Sequence, residues 1–130
     1  MIAKDPYKSY QQNAVLSAAP EELTTMLYQR LVKDLKLARE SVEKKDIEAA
    51  HRCITHAQDI IAHLLDTLDT SYEVGQNLQL MYDYMNRRLV EANIKKDPEI
   101  LREIAGYAAE LRDTWVQAVK QVKTGVAAGS

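Results

Sequence analysis

The sequence has no phenylalanine, one cysteine, one tryptophan, four glycines and three prolines in 130 residues. Each shortage excludes something. A lone Cys53 cannot close an intrachain disulfide and is too little for a cysteine-built metal site, which points to a reducing compartment. So few glycines and prolines argue against a turn-rich sheet protein and for long uninterrupted helices. Without phenylalanine, the core must be assembled from Leu, Ile, Val, Met and Ala. No stretch is apolar over the length of a membrane span, and the opening MIAKDPYKSY lacks the apolar region of a secretion signal. Net charge is −2, from 17 basic and 19 acidic residues, which gives no electrostatic reason to expect nucleic acid or an anionic membrane. No Gly-rich phosphate loop, Ser-His-Asp set or Cys-His pair is available for chemistry. The expectation is a cytosolic protein that is not an enzyme, holds no cofactor or metal and does not insert into membranes.

What is present is helix. Hydrophobic residues make up 46% of the chain, enough for a real core in one domain. Pro20 suits a first helical position, with Glu21 and Glu22 well placed for the helix dipole. From there Leu23, Leu27, Leu31 and Leu35 recur every four residues, with Met26, Ala38 and Val42 widening the stripe. Asp46 then N-caps a second helix whose apolar positions alternate steps of three and four: Ile47, Ala50, Ile54, Ala57, Ile61, Leu64 and Leu68. That helix is expected to end near Asp69-Thr70-Ser71. A third carries Val74, Leu78, Met81, Met85, Leu89 and Ala92 and closes at Lys95-Lys96. Asp97-Pro98 opens a fourth, with Leu101, Ile104, Ala108, Leu111, Trp115, Ala118 and Val122. Amphipathic helices joined by loops this short should form an all-α, antiparallel, up-down four-helix bundle over residues 20–123. Residues 1–19 are expected to be an extended or partly helical segment packed on it, and 124–130 a frayed tail within the same single domain.

Positions off these seams are the informative ones. Leu80 and Tyr84, four apart, form a second stripe on the third helix, Tyr82 lies between the two stripes, and Ile60 and Leu65 flank the seam of the second. Such residues either widen an ordinary core or line a surface for an amphipathic or extended peptide. All three histidines (His51, His56, His63) lie on the second helix. Glu48-Ala49-Ala50-His51 has the spacing of metal-binding bundles, but only once, where such sites use two copies. His56 falls on the outward side, where a phosphotransfer bundle would carry its histidine. Those domains follow it with Lys-Gly, whereas here Ala57-Gln58-Asp59 crowd the position. Solvated or edge histidines are the simpler reading.

Three blocks then match something larger. Tyr10-x-x-Asn13-x-Val15 leads into Ala18-x-Pro20-x-x-Leu23-x-x-Met26-Leu27-Tyr28. Asn77-Leu78-x-x-Met81-Tyr82-Asp83-Tyr84-Met85-x-x-Arg88-Leu89-x-x-Ala92-Asn93 follows, and then Leu111-Arg112-Asp113-Thr114-Trp115. In this order and spacing the chain resembles the flagellar secretion chaperones that bind flagellin, the FliS family, from about Tyr7 to about Ala118. Ala19-Pro20-Glu21 departs from the family's frequent Ser-Pro-Gly, and Gln29-Arg30 from its Asp-Gly. The resemblance implies a bundle that binds the C-terminal segment of flagellin in the bacterial cytosol. It also implies that premature filament assembly is prevented and that flagellin is helped to the export gate; a second copy of the chain is left open as a partner. It further implies that Tyr7, Tyr10, Asn13, Val15 and Leu16 belong to an N-terminal segment that occupies part of the client surface until client arrives. Ile60, Asn77, Leu80 and Tyr84 complete the expected partner-binding set.

Overall fold

The computed structural model describes residues 20–124. Helix α1 (Pro20–Glu43) opens on its proline, α2 runs Ile47–Asp66, α3 Glu73–Lys95 and α4 Pro98–Thr124, and these residues hold no strand. Two of the three loops are built alike from Lys-Lys-Asp. Lys45 and Lys96 both take the left-handed conformation that turns a helix C-terminus, at φ 63° and 51°. The next N–H then reaches back five residues, from Asp46 to the Ser41 carbonyl and from Asp97 to that of Ala92. Each aspartate next caps the following helix: Asp46 accepts from the Ala49 N–H at 3.2 Å and Asp97 from that of Glu99 at 2.9 Å. The α2–α3 loop is longer and is set by Asp69, which accepts from both the N–H and the hydroxyl of Ser71. Helix α2 therefore stops at Asp66, short of the expected Asp69–Ser71, with Leu68 still packed on the core from beyond its end.

Cross-helix hydrogen bonds fix the directions. Gln58 donates to Asn86 at 3.1 Å and Asn93 donates to His51 at 2.9 Å, so descending α2 means ascending α3. Helix α1 packs along α2 and α4, and α3 packs along the same two, which places α3 diagonally across from α1. This is the expected antiparallel four-helix bundle. Leu31, Leu35, Ile54, Ile61, Met85, Leu89, Leu101 and Ile104 fill its centre, and Ala38, Ala57, Ala92 and Ala108 let the backbones come close.

The seams differ from expectation where the square arrangement demands it. Each helix touches two neighbours, so its buried face is wider than a single three-four stripe. Ile60, expected to face a partner, is only 5% exposed because α2 is covered on two sides. Tyr82, between the two stripes of α3 by spacing, is fully buried against Tyr28. Conversely Ile47 and Val74, at the starts of α2 and α3, are exposed, at 50% and 71%.

Candidate functional site

The candidate site follows from the register of α1 against α4. The Trp115 indole N–H donates to the Thr25 hydroxyl at 2.8 Å and to the Glu21 carbonyl at 3.2 Å, and its ring lies 6.4 Å from that of Tyr28. Residue 115 is thus level with the first turn of α1, and the last six or so residues of α4 run past Pro20, about 9 Å of helix at 1.5 Å per residue. The apolar stripe of α4 does not stop where its neighbour does. Val122, at a seam position, is 72% exposed, and Ala118 is exposed too.

Two adjoining grooves result. One of about 460 Å³ is lined by Thr25 and Met26 of α1 and Val116 and Val119 of α4, with Glu22, Lys120 and Lys123 among its walls. The other, about 320 Å³, is lined by Trp115, Ala118, Val119 and Val122, with Glu21 and Lys123. Neither wall contains a histidine, a cysteine or paired carboxylates, and the grooves offer contact mainly to aliphatic side chains. Trp115, expected in the core, is a half-buried wall between core and groove. Met26 was legible only as part of the α1 stripe; Val116 and Val119 lie off the three-four seam of α4. The signal that finds them is the register of α4 against α1, set by Trp115 on Glu21 and Thr25.

Polar groups elsewhere hold helices together. Asp34, 2% exposed, is the buried acid of α1. It accepts from Arg30 Nε at 3.0 Å and from Nδ1 of His56, whose ring is half exposed. The His56 ring so tied links α2 to α1, and the packing around it gives it a structural task. Cys53 sits at the core edge, where burial pushes its thiol up from the ordinary range and the nearby Asp34 charge adds to that. Among the described residues no three His, Cys, Asp or Glu side chains come together as a metal site; His51 spends its Nδ1 on Asn93.

Of the residues expected to meet a partner, Tyr7, Tyr10, Asn13, Val15 and Leu16 lie outside the described residues. Asn77 and Leu80 are exposed on α3. Tyr84 is half-buried: its hydroxyl donates to Glu103 at 2.6 Å, its ring meets Tyr107 edge-on at 6.2 Å, and the Glu103 bond raises its phenol above the ordinary range. Arg88 donates to the same Glu103 at 3.1 Å and to Glu91 at 2.6 Å. Tyr84 is thereby occupied in joining α3 to α4, while Leu80, one turn earlier, is 69% exposed.

The family model described as Flagellar protein FliS matches residues 3–122. The flagellar secretion chaperone FliS of Bacillus subtilis (strain 168) is 44% identical over 120 residues, covering 92% of this chain and 90% of that one. That of Salmonella typhimurium (strain LT2) is 34% identical over 124 residues, covering 90% and 92%. A crystal structure of a flagellar chaperone from bacteria superposes with a TM-score of 0.72 over 88% of this chain and 95% of that one; at 15% identity it speaks for the fold. No described helix is long and apolar enough to cross a membrane. A match across nearly the whole chain, on a bundle that superposes on a flagellar chaperone, leaves one assignment: the chain belongs to the FliS family of flagellar secretion chaperones.

Proposed function

We propose that this chain acts in the bacterial cytosol, without enzymatic activity, by binding the C-terminal segment of flagellin. It holds that segment back from premature filament assembly and brings it to the type III export gate. The observation that carries the reading is the open apolar end of α4, where Val116, Val119 and Val122, with Met26 of α1, present aliphatic surface that the described residues leave uncovered. A filament-forming segment is apolar and unfolded until assembled, and a groove of this kind shields it without ATP through reversible contact. Residues 1–18 enter the reading as a removable cover. They lead directly into Pro20, which stands level with the overhang. Tyr7 and Tyr10 supply the rings, and Val15 and Leu16 the apolar pair, that such a cover needs.

Titration calorimetry with a flagellin from the same cell, intact and lacking its last few dozen residues, tests this. Intact flagellin should bind and the truncated one should not. Val119→Asp, which places a carboxylate in both grooves, should weaken binding tenfold or more, about 1.4 kcal/mol, with helicity unchanged. Equal binding of the truncated flagellin would overturn the assignment of the client segment. Unaltered binding by Val119→Asp would move the site elsewhere.

A further inference from the structure

Because the bundle is antiparallel, α1 begins at the pole where α4 ends, and the two helices bring opposite charges to it. Glu21 and Glu22 stand in the first turn of α1, and Lys120 and Lys123 near the end of α4, each sign where the helix dipole favours it. Glu22 from α1 and both lysines from α4 wall the larger groove, and Glu21 and Lys123 wall the smaller one. Between the walls the lining is aliphatic, chiefly Met26, Val116, Val119 and Val122. The two signs do not meet across it: among the described residues none of these four side chains makes an ion pair. Charges of the same kinds on α3 and α4 are paired, Arg88 with Glu91 and Glu103, and Lys95 with Glu91. The groove pole is an apolar trough with one acidic wall and one basic wall.

An aliphatic trough alone accepts a helix in either direction. A helix lying apolar side down exchanges its two edges when it is turned end for end, so walls of opposite charge make the two directions unequal. We propose that these walls select the client segment and fix its direction. They take an amphipathic helix whose aliphatic residues recur at steps of three and four. Its acidic side chains run along the edge that meets Lys120 and Lys123, and its basic ones along the edge that meets Glu21 and Glu22. The inference rests on the reading of the grooves as the client site. A segment with one sign of charge on both edges sets like charges against one wall, and the mixed segment laid backwards does so against both. Exposed rim charges each contribute little and are screened by salt. The aliphatic contacts therefore hold the segment, while the walls decide which segment it is and which way it lies.

Three synthetic helical peptides test this, sharing one aliphatic face and differing only at its edges: one edge acidic and one basic, both acidic, or both basic. In titration calorimetry on the full-length protein at low ionic strength, the mixed-edge peptide should bind about fivefold or more tightly than either of the others. Salt at about 0.5 M should shrink that difference. Lys120→Glu with Lys123→Glu makes both walls acidic and should move the preference to the basic peptide. Glu21→Lys with Glu22→Lys makes both walls basic and should move it to the acidic one. A new preference cannot come from misfolding, and circular dichroism provides the control. A nitroxide at one end of the mixed-edge peptide should broaden the amide signal of Thr124 more than one at the other end. Equal binding of the three peptides, preferences unchanged in the variants, or equal broadening from both ends would each overturn the proposal. Should the three bind alike and Val119→Asp abolish them all, the grooves stand as the client site and only the charge selection falls. Should Val119→Asp leave flagellin binding unaltered, the groove reading falls and this inference with it.

Discussion

Tyr28 on α1 and Tyr82 on α3 meet across the diagonal of the bundle and share a hydrogen bond between their hydroxyls. Both side chains are buried, so neither hydroxyl has water to turn to once its partner is gone. Tyr28→Phe strands the hydroxyl of Tyr82, and Tyr82→Phe that of Tyr28. Each single change should cost about 1–3 kcal/mol, the usual penalty for a buried polar group left unsatisfied, or about 4–12 °C in Tm for a domain of this size. The double variant removes both polar groups and keeps both rings, so it should lie close to the parent protein and well above the sum of the singles. Urea unfolding of the four proteins measures the cycle. Strictly additive single costs would refute a shared bond, and single costs near zero would refute the burial. The pair also sets an alkaline limit. Burial pushes both phenols above their ordinary 10.0, more for Tyr82, where the bond to Tyr28 adds to burial, than for Tyr28, where the same bond opposes it. The folded protein therefore holds protons that the unfolded chain releases, and the stability tied to them is complete below pH 10 and falls as pH rises above it. The double Phe variant should lose less stability than the parent protein over that range.

Other perturbations have equally local causes. At Gly75, in the first turn of α3, a Cβ would stand 1.8 Å from the Asp69 carbonyl oxygen; Gly75→Ala must displace the α2–α3 loop and should cost at least about 1–3 kcal/mol by thermal melting, an unchanged Tm refuting the close approach. Trp115→Ala removes both indole hydrogen bonds and a half-buried ring, so a loss of about 2–4 kcal/mol is expected. Trp115→Phe should recover the ring's share but not that of the N–H, and equal losses for the two would show that packing contributes little. Deleting residues 1–16 should leave the bundle folded, raise its binding of an apolar-surface dye, and hold or increase flagellin affinity, because nothing then has to be displaced. A tenfold drop in affinity, about 1.4 kcal/mol, would make Tyr7 and Tyr10 direct client contacts.

Helix number, order and most of the centre were legible because period and punctuation agree. Leu31, Leu35, Ile54, Ile61, Met85, Leu89, Leu101 and Ile104 fall on stripes that the spacing alone picks out, and Asp46 and Asp97 signal their own caps. Tyr82 and Ile60 were not legible, because a seam drawn for one neighbour undercounts a helix that has two. Val74 and Ile47 were read as core because periodicity carries no information about how far along a helix the packing extends. The same blindness hid the candidate site. Ala118 and Val122 have the spacing of core residues, and only the Trp115 contacts with Glu21 and Thr25, which set the register of α4 against α1, reveal that they lie beyond it. Tyr84 resembled a surface residue until its hydroxyl was placed on Glu103.

The position of that overhang bears on how the client would be released. The buried residues run from Tyr28 to Ala38 on α1, Ala50 to Leu64 on α2, Gly75 to Ala92 on α3 and, confined to the first half of the helix, Ile100 to Ala108 on α4. The last two turns of α4 contribute none. Exposed apolar residues there therefore cost the fold little if they are changed, since their support comes mainly from their own backbone bonds and the edge of α1. On the proposed reading, a client segment that settles against Val119 and Val122 gives up its own conformational freedom, and the entropy lost offsets part of the contact energy. Binding surface placed in the bundle's centre would be rigid and tight; placed on an overhang it is reversible. A secretion chaperone must give up its cargo without a nucleotide to drive release, and the overshoot of α4 past Pro20 supplies a physical route to that.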